Sequence, residues 1–279
     1  MRHAEGGSER AYQKVAAALR ARILDRTLRE GDRLATESEL ARQFGVNRST
    51  VREAFRELQA AGLIARRRGS KRMSVARPAP ARVGQEVRRA LSLYEVTYHD
   101  VWEALTVLEP PIAEAAARRR TPADLERTAA AAARFAALAA STAHAVHDAA
   151  EFLRSLGAAT HNQVLVLAQE PLLQLLEPSL GAMIDRVPQA RTRIMTAQRR
   201  LIEALDACDA EQAQRWMARH IRDFRRGYEL AGIPLGTPCE PGESPARAAL
   251  SHSHGALACA QRSTAHRVRT AVRGGPASS

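Results

Sequence analysis

The chain has 279 residues, of which 45% are hydrophobic and only 4% aromatic, and a formal net charge of +12. Its apolar runs fall well short of the roughly 20 residues of a membrane span, its N-terminus carries no signal-peptide pattern, and its three widely spaced cysteines (Cys208, Cys239, Cys259) support neither a disulfide framework nor a zinc cluster. A cytoplasmic protein with an Ala/Leu/Ile/Val core fits this composition, and the charge is lopsided: residues 1–80 hold 18 Lys and Arg against 9 Asp and Glu, residues 81–233 hold 19 against 19, and residues 234–279 hold 5 against 2. The excess near the N-terminus marks where a polyanion would bind.

Residues 1–10 read as a polar, flexible arm. Apolar positions at helical spacing (Val15, Ala18, Leu19, Ile23) then predict a helix from Tyr12 to about Thr27. Glu30-Gly31-Asp32 is a turn and Arg33-Leu34-Ala35 is extended. Thr36 and Glu39 form a capping box ahead of a helix that buries Leu40, Ala41 and Phe44. Gly45 supplies the positive-φ residue that ends it, and Asn47 is a good N-cap for the next helix. In that helix Val51, Ala54, Phe55, Leu58 and Ala61 are expected in the core, and Gly62 closes it. Leu63–Arg68 and Met73–Ala76 read as two strands around a basic hairpin, Gly69-Ser70-Lys71-Arg72. Residues 11–77 make up this domain, and a proline-broken linker covers 78–83.

Residues 84–233 read as helix throughout, in segments 83–93, 97–119, 122–140, 143–159, 163–187, 188–206 and 209–230. Pro110-Pro111 should kink or break the second. Thr121-Pro122 and Asp209 with Gln212 are helix starts. The fold class is therefore mainly α, an N-terminal winged helix-turn-helix followed by an antiparallel all-α bundle. Residues 234–279, rich in Pro, Gly, Ser and His, are expected to be disordered.

The second short helix carries the chemistry. Its N-terminus offers the positive end of the helix dipole and free N–H groups to phosphate. Arg48, Ser49 and Arg52 project from its first turns, and arginine can donate two hydrogen bonds to guanine in the major groove. Ser49 and Thr50 suit phosphate or a base edge. Lys71 and Arg72 at the hairpin tip reach an adjacent groove, and Gly69 permits close approach. Ser38 and Asn47 complete the candidate DNA-binding set. Arg42 and Arg56 read as solvated or intrahelical partners, and Arg66–Arg68 should alternate faces.

On these residues, TESELARQFGVNRSTVREAFRELQAAGLI and its wing, the N-terminal domain resembles the DNA-binding domain of GntR-type bacterial repressors. Two features depart from that pattern. The family usually has Arg at the place of Ser38, and a Gly-x-Gly-x-x-Val wing where this chain has Gly69-Ser-Lys-Arg-Met-Ser-Val75. Leu108-Glu109-Pro110, Ala159-Thr160-His161-Asn162, Ile202-Glu203-Ala204-Leu205 with Asp209, and Met217-Ala218-Arg219-His220-Ile221 resemble the FadR-type effector domain (FCD) of that family. The resemblance implies a homodimer that binds double-stranded operator DNA and a small effector inside the helical bundle.

Many such domains hold a metal with one Asp and three His. Here the Asp slot falls at Ala149, beside Asp148, the first His slot at Leu153 and the second at Gln198. Only the last, His220, is present, and the Arg slot before Glu109 is Leu105. Neither a bound metal nor another cofactor is therefore expected. Asp148, Leu153, Asn162, Gln198 and His220 are the candidate effector-pocket residues, with Asp148 and His220 as metal-site remnants. Leu153 points to an apolar or acyl-type effector. His144 and His147 read as ordinary surface histidines, and His252 and His254 as incidental.

The leading reading is a dimeric, non-enzymatic transcription regulator, a repressor, with no membrane partner. A ligand-independent DNA-binding dimer with a vestigial pocket is the alternative. An enzyme with a DNA-binding appendage is a third reading, against which stands the lack of a nucleophile elbow, P-loop, dinucleotide fingerprint or paired-carboxylate pattern.

Overall fold

The structure, a computed structural model, describes residues 5–67, 69–137 and 142–239. The chain divides into two compact units, Met1–Val87 with Asn162–Pro171, and Arg88–His161 with Leu172–Ser279.

In the first unit, helix α1 spans Glu5–Leu24. It begins inside the expected arm, because no proline interrupts the residues ahead of Tyr12 and the backbone runs on beyond the apolar periodicity. Helix α2 spans Glu37–Phe44 and α3 spans Arg48–Ala60. Strands β1 (Ile64–Arg66) and β2 (Met73–Val75) form an antiparallel hairpin with Ile64 opposite Val75 and Arg66 opposite Met73. The extended Arg33 bridges to Ser74 on the other side of β2. β2 therefore lies between two neighbours, and all three of its residues are buried where β1 alternates. Val15, Leu19, Leu34, Leu40, Val51, Phe55, Leu58, Ile64 and Val75 share one core. Each large apolar side chain among them contributes about 1.5–3 kcal/mol relative to an exposed placement. Ala61, expected in that core, is instead the exposed C-cap residue of α3, one step past its buried stripe.

Helix α4 (Pro80–Leu91) starts within the expected linker. Pro80 takes the first helical position, where a missing N–H costs nothing. Arg82 then donates to the Gln59 and Ala60 carbonyls at the end of α3. A 3-10 turn follows at Ser92–Tyr94.

The second unit is helical. Helix α5 (Tyr98–Arg119) runs unbroken through Pro110-Pro111, contrary to the expected break. Buried Trp102, Leu105, Glu109, Pro110, Ile112 and Ala113 lie on both sides of the prolines, and packing there outweighs the lost ladder bonds. Helices α6 (Pro122–Ala137), α7 (Thr142–Ala159), α8 (Gln163–Arg186), α9 (Ala190–Asp206) and α10 (Ala210–Leu230) complete the order. The end of the expected 122–140 segment lies outside the described residues. α5 packs on α10 and α7, α6 on α7, and α9 on both α10 and α6. Tyr98, Trp102, Phe224 and Tyr228 form an aromatic cluster, with the Tyr228 hydroxyl 2.7 Å from Ser179 Oγ.

The expected disordered tail is ordered as far as Cys239. Leu235 and Thr237 carbonyls accept from His99 and Tyr98 N–H at 2.8 and 3.2 Å, and Cys239 N–H donates to Val96. These acceptors satisfy N–H groups in the first turn of α5 that have no partner within the helix. Residues 240–279, including His252 and His254, lie outside the described residues.

Candidate nucleic-acid interface and effector cavity

The turn between α2 and α3 is built as its residue types require. Thr36 N–H and Oγ1 donate to Glu39 Oε2 at 2.7 and 2.8 Å, and Glu39 N–H returns to Thr36 Oγ1 at 3.2 Å. Gly45 sits at φ 63°, ψ 33°, and the Val46 N–H reaches back to the Ala41 carbonyl at 2.9 Å. Asn47 occupies the N-cap position of α3 in extended backbone, but its side chain makes no capping bond there. The first turn of α3 contains no acidic residue. The positive end of its dipole therefore faces solvent uncompensated.

Outside this turn lies a surface concavity of about 410 Å³ between α3, the start of α2 and the hairpin. Five cations line it, Arg52, Arg56, Arg66, Lys71 and Arg72, with Ser38 and the single carboxylate Glu37. Arg52 reaches across from α3 to Glu37 at 2.9 Å, and that hydrogen bond raises the guanidinium pKa further. Arg56 pairs with Glu53 one turn back, as its sequence position suggests. Arg66, Lys71 and Arg72 make no ion pair among the described residues. The arrangement is a cationic trough with one arginine held in place by a carboxylate, suited to a phosphate backbone and a base edge.

Of the predicted contacts, Ser38, Arg52, Lys71 and Arg72 meet at this trough. Asn47, Arg48 and Ser49 are exposed at the start of α3 but do not line it. Gly69 is at φ +80° with open space where a Cβ would stand. Thr50 departs from expectation: it is 7% exposed and packs inward, because its position follows the buried stripe of Val51, Ala54 and Phe55. Arg66 and Glu37 were not on the predicted list of contacts. Strand alternation was the available signal for Arg66, and its neighbour Arg67 does turn the other way, toward Gly31. Arg68 lies outside the described residues.

The helical unit holds a different kind of site. Trp102, Leu105, Ala149, Leu153, Leu173, Leu176 and Leu180 are among the residues around an apolar cavity of about 20 Å³. The three family slots that this chain fills with Leu105, Ala149 and Leu153 thus converge on one space. The other pocket candidates lie elsewhere. His220 lines a separate cavity of about 10 Å³ with Met183, Ile194 and Phe224. Burial alone pushes its imidazole down to about 3, so it is neutral at physiological pH. Asp148 is buried against Arg134, 2.9 Å from its Nε. Gln198 is buried with neither amide atom hydrogen-bonded among the described residues, beside a groove between α6 and α9. Asn162 accepts from the Val164 N–H at 3.0 Å at the start of α8.

These residues do not fit a metal. The slots at Leu105, Ala149 and Leu153 carry no donor atom, Asp148 is committed to Arg134, and His220 faces a different cavity. His144 and His147 are exposed, and His161 bonds Asp124 at 2.9 Å. His99, Asp100 and Glu103 come together near the start of α5, but Asp100 serves as the capping partner of Thr97.

Comparison with known proteins agrees with this geometry. Residues 11–71 match the family described as bacterial regulatory proteins, gntR family, and residues 100–223 match the FCD domain. A protein of Escherichia coli (strain K12) named for regulation of the L-lactate dehydrogenase operon is 28% identical over 219 residues, covering 76% of this chain and 84% of that protein. The Glc operon transcriptional activator of Escherichia coli (strain K12) is 28% identical over 234 residues, covering 79% and 91%. The solved structure titled Streptococcus agalactiae GntR superposes with a TM-score of 0.54 at 25% identity, covering 77% of this chain and 99% of that one. No described helix is long and apolar enough to cross a membrane. The chain belongs to the GntR family, with an FCD domain behind its winged helix, and is a DNA-binding transcriptional regulator.

Proposed function

We propose that this regulator is a cytoplasmic homodimeric repressor whose operator affinity is controlled by a small, largely apolar effector bound without a metal in the helical unit. The observation that carries this reading is the convergence of Leu105, Ala149 and Leu153 on one enclosed apolar space. Apolar pockets select ligands by shape and by a few polar anchors, and a site stripped of donors selects against metals and metal-bound carboxylates. The relatives are named for different operons, so effector choice follows from this chain's own lining residues.

Each subunit presents its cationic trough to one half of an operator. Effector binding shifts the relative placement of the two winged helices and so their match to paired half-sites. The test is operator affinity measured by anisotropy against a metabolite panel, together with a reporter driven from the operator. A compound that changes affinity at least tenfold, with reporter output rising as the protein releases DNA, is the expected result. Indifference to every compound, or a reporter that falls on release, overturns the effector or the repressor assignment respectively.

A further inference from the structure

Trp102 is 2% exposed, and its indole N–H finds no acceptor among the described residues. A buried donor without a partner bears its desolvation cost with nothing in return, so such groups mark an absent ligand or a functional constraint. This one belongs to a side chain that lines the apolar cavity. The ring is fixed in place: it stacks on Phe224 at 6.1 Å and meets Tyr228 edge-on at 5.3 Å. Its donor is therefore held ready rather than free to turn away.

Charge at the cavity is already matched. Glu177 is the one ionisable lining residue, and Arg154 holds it at 2.6 Å. No Lys, Arg or His is in the lining. A ligand carboxylate placed here would be an unpaired charge in apolar surroundings. A pure hydrocarbon would leave the indole N–H unsatisfied. A neutral molecule with an acceptor avoids both penalties.

We infer that the effector is an uncharged, largely apolar compound with one hydrogen-bond acceptor, such as an ester, ketone or lactone carbonyl, and that Trp102 is the residue that selects it by donating from its indole N–H. This rests on the effector reading given above. The cavity of about 20 Å³ has room for little more than one water. Entry therefore requires lining side chains to swing outward. Leu153, Leu176 and Leu180 retain 6–7% exposure and mark where the cavity meets the surface.

The chain has two tryptophans, so indole 15N-labelled protein gives two N–H resonances. Trp216, which lies beside Arg200 and Arg219, is the internal reference. Methyl hexanoate, hexanoate and heptane serve as probes of similar length. Methyl hexanoate should shift the Trp102 resonance downfield and bind about tenfold tighter than either of the others, the value of one neutral hydrogen bond. Trp102→Phe should bring its affinity down to that of heptane, and Leu153→Trp, which fills the space, should abolish both. Hexanoate binding as tightly as the ester, or ester binding indifferent to Trp102→Phe, overturns the inference. If instead the metabolite panel yields an anionic effector, the inference falls while the effector reading stands. If neither the probes nor any panel compound binds, both fall together.

Discussion

Replacing Lys71 by Ala tests the trough at its least encumbered cation. Lys71 is exposed at the hairpin, lines the concavity and makes no ion pair among the described residues. Its removal should leave stability within about 0.5 kcal/mol of wild type. Each phosphate neutralised contributes about 0.9 to the slope of log affinity against log salt. A dimer presents Lys71 twice, so the slope should shrink by about 1.8. Between 50 and 200 mM salt the logarithm changes by about 0.6, so wild type should lose about tenfold more affinity than the variant over that range. Anisotropy of a labelled operator duplex at several salt concentrations reads both slopes. An unchanged slope with an unchanged melting temperature would refute the placement of the wing on phosphate. A reduction of only about 0.9 would mean that one wing, not two, engages the duplex.

Gly45→Ala should cost about 1–2 kcal/mol in urea unfolding, because φ is 63° and nothing lies within 4 Å of the added Cβ, leaving backbone strain alone; a cost near zero would show that the turn relaxes. His220 titrates near 3 when folded against 6.5 when unfolded, so the unfolded chain takes up the proton first as pH falls. Its share of stability is intact above about 6.5 and is lost progressively toward 3, amounting to about 2 kcal/mol by pH 5. His220→Leu should narrow the stability difference between pH 7 and pH 5 by that amount, and an unaltered difference would show that the imidazole is hydrated. Dialysis against a chelator should leave both melting temperature and operator affinity unchanged, whereas a fall of several degrees restored by a transition metal would reinstate a metal site.

The α2–α3 turn was legible because every step in it is local. Thr36 with Glu39, Gly45 and Asn47 are recognised from their own residue types a few positions apart, and the structure returns the capping box and the left-handed glycine where the spacing puts them. Asn47 shows the edge of that reach: its backbone caps α3, but no rule of spacing says whether its side chain will turn inward. Thr50 shows another. A hydroxyl residue at the start of a DNA-facing helix looks like a contact until the buried face is drawn through it. The Arg52–Glu37 pair, 15 residues apart, arises only when α2 and α3 cross.

In the helical half, capping pairs such as Thr121 with Asp124 and Asp209 with Gln212 set helix starts, whereas the fate of Pro110-Pro111 depended on what packs on either side of them. Likewise residues 235–239 look like the beginning of a loose tail until their carbonyls meet the free N–H groups of α5.

Residue order alone determined the two-part organisation, the winged helix and its basic face, because periodicity, caps and charge act over one or two helical turns. Packing decided that Leu105, Ala149 and Leu153 enclose one space while His220 and Gln198 do not join it, and that the Trp102 indole N–H is left without an acceptor. Burial and hydrogen-bond satisfaction depend on neighbours far apart in the chain, and these exist only once the helices have come together.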